Sequence, residues 1–135
     1  MNLTDLISNI HWLPVIIMTV FSFVLGALWH QPFLFGKTWS DVNYPGGIKQ
    51  KINAPLIFGG TAIMHLLAIA ALGAVVSDKG SVDGLLTGLL ISLFWIMPAM
   101  CGTYLFATRS LKLLAIDAGM YILLFSLSGL VLGTW

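Results

Sequence analysis

Of 135 residues, 59% are hydrophobic and only 8% are charged. A soluble domain carries about 25% charged residues on its wetted surface, so this composition excludes an ordinary water-soluble globule. The formal net charge of +1 leaves no basic face to neutralise nucleic-acid phosphates, and the single cysteine, Cys101, excludes an internal disulfide and a cysteine-based zinc site.

The charges are also unevenly spread. None occurs between Asp5 and Lys37, between Lys51 and Asp78, between Asp83 and Arg109, or after Asp117. A hydrocarbon core about 30 Å thick needs roughly 20 apolar residues per helix, and each gap is near or above that length. Lipid admits only helices or closed barrels, and these runs lack the in-and-out alternation of barrel strands. The expectation is a single all-α transmembrane domain, residues 1–135, with four spans in a bilayer.

At the N-terminus, Asp5 with no Lys or Arg before the first apolar run is unlike a cleavable signal peptide. The first helix is therefore expected to persist in the mature chain. Asn2-Leu3-Thr4 matches a glycosylation acceptor, a short and unspecific pattern. Helix one is predicted over residues 11–29, with Pro32 opposing its continuation. Trp12 and Trp29 lie 17 residues apart, roughly 25 Å along a helix, which sets one indole near each interface. Residues 30–54 hold Pro32, Gly36, Pro45, Gly46 and Gly47 as breakers, with Phe33, Phe35, Trp39 and Tyr44 between polar neighbours. This mixture predicts an interfacial segment lying on the membrane surface. Helix two is predicted over residues 55–77, Pro55 being acceptable in a first turn. The short polar link from Asp78 to Asp83 makes a hairpin with helix three, residues 84–107, which Pro98 is expected to kink. Trp95, near the middle of that helix, is expected to fill the bundle core. A tight link at Arg109 to Lys112 leads to helix four, residues 113–135.

Orientation follows from the cationic residues in the short loops. The first and third loops carry Lys37, Lys49, Lys51, Arg109 and Lys112, whereas the opposite side carries Lys79 alone. This places the first and third loops in the cytoplasm and both termini outside, in the cell membrane.

The block Gly26-Ala27-Leu28-Trp29-His30-Gln31-Pro32-Phe33-Leu34-Phe35-Gly36-Lys37-Thr38-Trp39 resembles the end of the first helix in small membrane proteins classed as domain of unknown function 1761. Ala115-Ile116-Asp117-Ala118-Gly119-Met120-Tyr121, with Gly129 and the final Trp135, resembles that family's closing segment. His30 stands where a tyrosine commonly follows the tryptophan. The resemblance implies a small, largely bacterial four-helix membrane protein. It implies no activity and no catalytic residues.

Small residues let membrane helices approach closely. Helix four carries Ala115, Gly119, Ser126, Gly129 and Gly133 on one face, helix three Gly84 and Gly88, and helix one Ser22 and Gly26. These stripes point to tight helix packing within the chain or between copies, and a homo-oligomer is the expectation.

Ionisable groups inside spans are costly and so often serve a purpose. Asp117 lies just past Lys112, roughly 6 Å into the membrane, and His65 lies roughly 15 Å from the same side. Tyr121 is one turn deeper than Asp117, with Ser128 close to that line, and His30 lies at a depth similar to Asp117. Together His65, Asp117, Tyr121 and His30 could form a polar pathway from the cytoplasm to the midplane. The plainer expectation is that Asp117 pairs with Arg109 or Lys112 or caps backbone, and that His65 hydrogen-bonds a neighbouring helix. His11 and His30 are separated by 19 residues, roughly 28 Å along a helix, and cannot share a metal ion. No metal, cofactor or catalytic residue is expected, because no nucleophile sits beside a base and Asp117 is the lone buried carboxylate. The function expected is a small channel- or transporter-like protein for protons, ions or a small solute. The alternative is a structural or accessory protein that packs against a partner or itself.

Overall fold

A computed structural model describes residues 2–135, which fold mainly into helices with no strand among them. The helices are α1 (Leu3–Ser8), α2 (Trp12–Trp29), α3 (Gly36–Asn43), α4 (Ala54–Val76), α5 (Ser81–Ile91), α6 (Met97–Phe106) and α7 (Leu111–Gly133). A wider π-helical stretch, Ser92–Ile96, joins α5 to α6 without a break. Four helical units are long and apolar enough to cross a membrane: α2, α4, the α5–α6 rod Ser81–Phe106, and α7. The chain is a multi-pass membrane protein. The spans read from charge-free gaps, 11–29, 55–77, 84–107 and 113–135, agree with these helices to within three residues at every end.

Helix starts follow ordinary capping chemistry, in which a side-chain oxygen satisfies an orphan backbone N–H. Asn53 accepts from the Leu56 amide at 3.2 Å to open α4, and Ser110 accepts from the Lys112 amide at 3.2 Å to open α7. Asn2 does the same for α1, accepting from the Thr4 amide at 3.3 Å. The asparagine of the glycosylation-like triplet is thus the cap of a short helix that hydropathy alone does not announce.

The interfacial segment contains a helix of its own, α3, held near the third loop. Arg109 Nη2 donates to Asn43 Oδ1 at 2.6 Å. At the opposite end of the bundle, the Gly80 amide donates to the Gly133 carbonyl at 2.9 Å, tying the second loop to the end of α7. The first and third loops therefore share one end of the bundle, and the second loop and the end of α7 share the other.

Helix α7 is the hub, packing against α2, α3, α4, α5 and α6. Its closest seam is with α5. A methyl group placed on Gly84 or Gly88 would overlap the carbonyl oxygen of Gly129 or Phe125, and one on Gly129 would overlap that of Gly84. Backbones in such direct contact require glycine at these positions.

The half of the bundle nearest the second loop is filled by Val15, Met18, Ile69, Leu72, Val76, Leu124 and Leu132. All the buried residues of α4 lie between Ile69 and Val76, while Leu56, Ile63 and Met64 in its first half are exposed. Toward the end holding α3, α4 parts from α2, while α3, α6 and α7 stay packed there around Tyr104, Leu113, Leu114 and Ala118.

Trp95 is a correction. It does not fill the core but faces outward, 69% exposed. In an uninterrupted α-helix Trp95, seven residues after Gly88, would share the face that meets α7. Pro98 lacks the N–H that would bond the Phe94 carbonyl, and the rod passes this point through the wider π turn, which changes the rotation per residue. Ser92 supports the turn, donating toward the Gly88 and Leu89 carbonyls at 3.0 and 2.9 Å. At four-residue spacing Gly84, Gly88 and Ser92 are buried, Ile96 and Met100 half-buried and Tyr104 buried again, and Trp95 swings off that line.

Candidate functional site

Where α2 and α4 part, a cavity of about 650 Å³ opens in the half of the bundle nearest α3. Its wall is mainly apolar and aromatic. Helix α2 contributes Ser22, Phe23, Gly26 and Ala27, and α4 contributes Ile57, Phe58, Thr61 and His65. Met120 and Tyr121 of α7, His30 and Trp39 complete it. Trp39 is delivered by α3, which can start beside the His30–Phe35 turn because Gly36 carries no side chain. A Cβ there would overlap the His30 carbonyl oxygen.

His65 is held by a defined hydrogen bond. Its Nδ1 lies 2.8 Å from Ser22 Oγ, and the Ser22 hydroxyl donates to the Thr19 carbonyl at 2.6 Å. The ring also stands edge-on to Tyr121, with centroids 5.9 Å apart. His30 folds back along α2, its Nδ1 lying 2.8 Å from the Gly26 carbonyl oxygen. Its ring meets Trp39 edge-on at 5.0 Å.

Asp117 lies outside this cavity, behind Trp39. One carboxylate oxygen accepts from Trp39 Nε1 at 2.9 Å, and the other accepts from the Tyr104 hydroxyl. The expected pairing with Arg109 or Lys112 is not what occupies the carboxylate. Arg109 is drawn to Asn43 and lies 4.6 Å above the Tyr104 ring, because α3 settles on α7 and presents its indole N–H first. His30, His65 and Tyr121 thus share one cavity while Asp117 supports its wall. Ser128 is buried in the core, its hydroxyl without a hydrogen-bond partner among the described residues.

The small residues separate into distinct roles. Gly84, Gly88, Gly129 and Gly133 form the α5–α7 seam, and Gly119 makes room for the Trp29 ring. Gly26 lies close against the Met120 sulfur in the cavity wall, and Ser22 holds His65. Ser126 donates to its own helix at Ile122, and Ala115 is exposed beside Trp29 and Lys112. Sequence reading missed Tyr104 and the pairing role of Trp39. A usable signal was present: a membrane carboxylate needs donors, and these two aromatic side chains lie at the same end of the bundle as Asp117.

The model of a family described as "Protein of unknown function (DUF1761)" matches residues 13–133. The chain belongs to the DUF1761 family. The match runs from α2 through α7 and so takes in every helix of this DUF1761 protein that lines the cavity or holds Asp117. No curated protein and no solved structure matches it.

Among the described residues, no three His, Cys, Asp or Glu side chains come together in a way that could hold a metal ion. The lining of the cavity offers hydrogen bonding and apolar contact, from imidazoles, a phenol and an indole within a mostly hydrocarbon wall.

Proposed function

We propose that this DUF1761 protein is a transporter-like membrane protein, without enzymatic activity, that binds a small uncharged solute. The carrying observation is the cavity between α2, α4 and α7, whose lining includes His30, His65 and Tyr121 but no Asp, Glu, Lys or Arg. A bare ion entering such a wall would shed its hydration with no counter-charge to replace it. A neutral molecule would not. The outer half of the bundle is closed by Val15, Ile69, Leu72 and Leu132, which favours a carrier that must rearrange over an open pore. The excess of Lys and Arg on the α3 side supports a cytoplasmic opening and external termini, with the chain in the cell membrane.

The test is flux in proteoliposomes. Uptake of some neutral solutes should exceed that of empty liposomes and fall when the cavity is filled by Thr61→Trp. Failure of a broad panel of neutral solutes to enter faster than through protein-free vesicles would end this reading.

A second reading, packing against another copy, is favoured by Trp95. An indole prefers the interface, where its N–H can find water, yet Trp95 stands outward near the middle of the Ser81–Phe106 rod. Phe94 beside it is 68% exposed. A second copy laid on this face would cover both. The mass of the protein in lipid nanodiscs tests it: a dimer weakened by Trp95→Ala supports the second reading, and a monomer at all concentrations removes it.

A further inference from the structure

We infer that the cavity takes an uncharged, mainly apolar molecule bearing a hydroxyl or N–H group, which it donates to Nε2 of His65. This builds on the solute-binding reading above. The Ser22 hydroxyl has one proton, and the Thr19 carbonyl, 2.6 Å away, takes it. Ser22 Oγ can then only accept from the ring nitrogen 2.8 Å away, so Nδ1 of His65 carries hydrogen. A neutral imidazole has one N–H, which leaves Nε2 as a bare acceptor.

His30 repeats the arrangement. The Gly26 carbonyl can only accept, so the His30 nitrogen 2.8 Å from it, Nδ1, is the protonated one. Its Nε2 is left bare in turn. Neither Nε2 has a hydrogen-bond partner among the described residues, and both rings line the same cavity. Tyr121 meets His65 through ring edges, with no hydrogen bond between them. Bare imidazole nitrogens also suit metals, but no third ligand joins them. An acceptor in apolar surroundings is costly unless a donor reaches it. A ligand that brings the donor and covers Phe23, Phe58 and Met120 with hydrocarbon satisfies both halves of the wall.

The selectivity this predicts separates molecules of one shape. The probes are 2-naphthol, 2-methoxynaphthalene and naphthalene, titrated into the full chain in lipid nanodiscs with nitrogen-15-labelled histidine. Without probe, the nitrogen spectra of His30 and His65 should report hydrogen on Nδ1 and a bare Nε2. Naphthol should bind about three- to tenfold more tightly than its methyl ether, the usual net effect of one neutral hydrogen bond, and should move the Nε2 signal of His65. His65→Phe should erase that preference while naphthalene still binds. Equal affinity for all three probes, or hydrogen found on Nε2 in the free protein, would overturn the inference and leave the solute-binding reading in place. Binding of none of them would overturn both. The wild-type spectra and probe series decide the matter even if the variant fails to fold.

Discussion

Asp117 brings a carboxylate into a span, where an unsupported aspartate costs about 2.5–3.5 kcal/mol near the centre. The protein meets that cost with two neutral donors, Trp39 Nε1 and the Tyr104 hydroxyl. Hydrogen bonds to a charged group contribute about 1.5–3 kcal/mol each, so Asp117→Asn should lower stability by about that amount, read by reversible unfolding in mixed micelles. Trp39→Phe should cost a similar amount, and the double variant should lose less than the sum because the two share one interaction. Additive losses would mean the indole and carboxylate act independently. Arg109→Ala separates this arrangement from an ion pair. Arg109 bonds Asn43 and lies over an aromatic ring, so its removal should cost no more than about 1 kcal/mol, the scale of an exposed cation–π contact. The polar residues were legible in the sequence as buried and unusual. Their partners were not, because Asp117 and Trp39 are 78 residues apart and meet only once α3 has folded back onto α7. Charge counting favoured Arg109 and Lys112, which lie nearest along the chain, over two aromatic donors that carry no charge at all.

At the scale of elements, the α5–α7 seam is the feature most sensitive to a single methyl group. Gly84 and Gly88 lie so close to the carbonyls of Gly129 and Phe125 that an added Cβ must push the helices apart. Overfilling a packed interface costs about 1–3 kcal/mol, so Gly88→Ala and Gly129→Ala should each lower the melting temperature in detergent. Gly59→Ala and Gly60→Ala, on α4 with nothing within 4 Å of the new atom, should stay within about 0.5 kcal/mol of wild type. Equal effects at all four positions would show that helix propensity, and not backbone contact, governs glycine here. The span positions were readable because the gaps in charge are as long as the membrane is thick. The seam was readable in part: the stripe on the last helix held Gly129 and Gly133, but periodicity also enlisted Ala115, which faces outward. Trp95 escaped because a period of 3.6 residues was carried straight through a turn that does not keep it. Proline announced the disturbance; its effect on rotation was visible only in the backbone.

For the whole molecule, the decisive property is which end of the bundle meets the cytoplasm, since it fixes where the cavity opens. Two bonds set the sides relative to each other: Arg109 to Asn43 groups the first and third loops, and Gly80 to Gly133 groups the second loop with the end of α7. The grouping does not choose between inside and outside. That choice rests on Lys37, Lys49, Lys51, Arg109 and Lys112 against Lys79, since cationic loops stay on the cytoplasmic face. Replacing Cys101 by alanine clears the background thiol, and single cysteines can then be set at Thr4, Gly46, Lys79 and Thr108. In intact cells, a membrane-impermeant maleimide should label Thr4→Cys and Lys79→Cys, while Gly46→Cys and Thr108→Cys react only after lysis. The reverse pattern would keep the fold but turn the cavity outward, so that the solute is captured from outside the cell. Labelling of Gly46→Cys together with Lys79→Cys in intact cells would break the two-sided grouping itself. The sequence reaches this point by counting charges, yet the cavity they orient depends on α4 leaning away from α2 in its first half, where Leu56, Ile63 and Met64 are exposed. Hydropathy cannot register that lean, because a residue facing lipid and one facing a neighbouring helix are apolar alike.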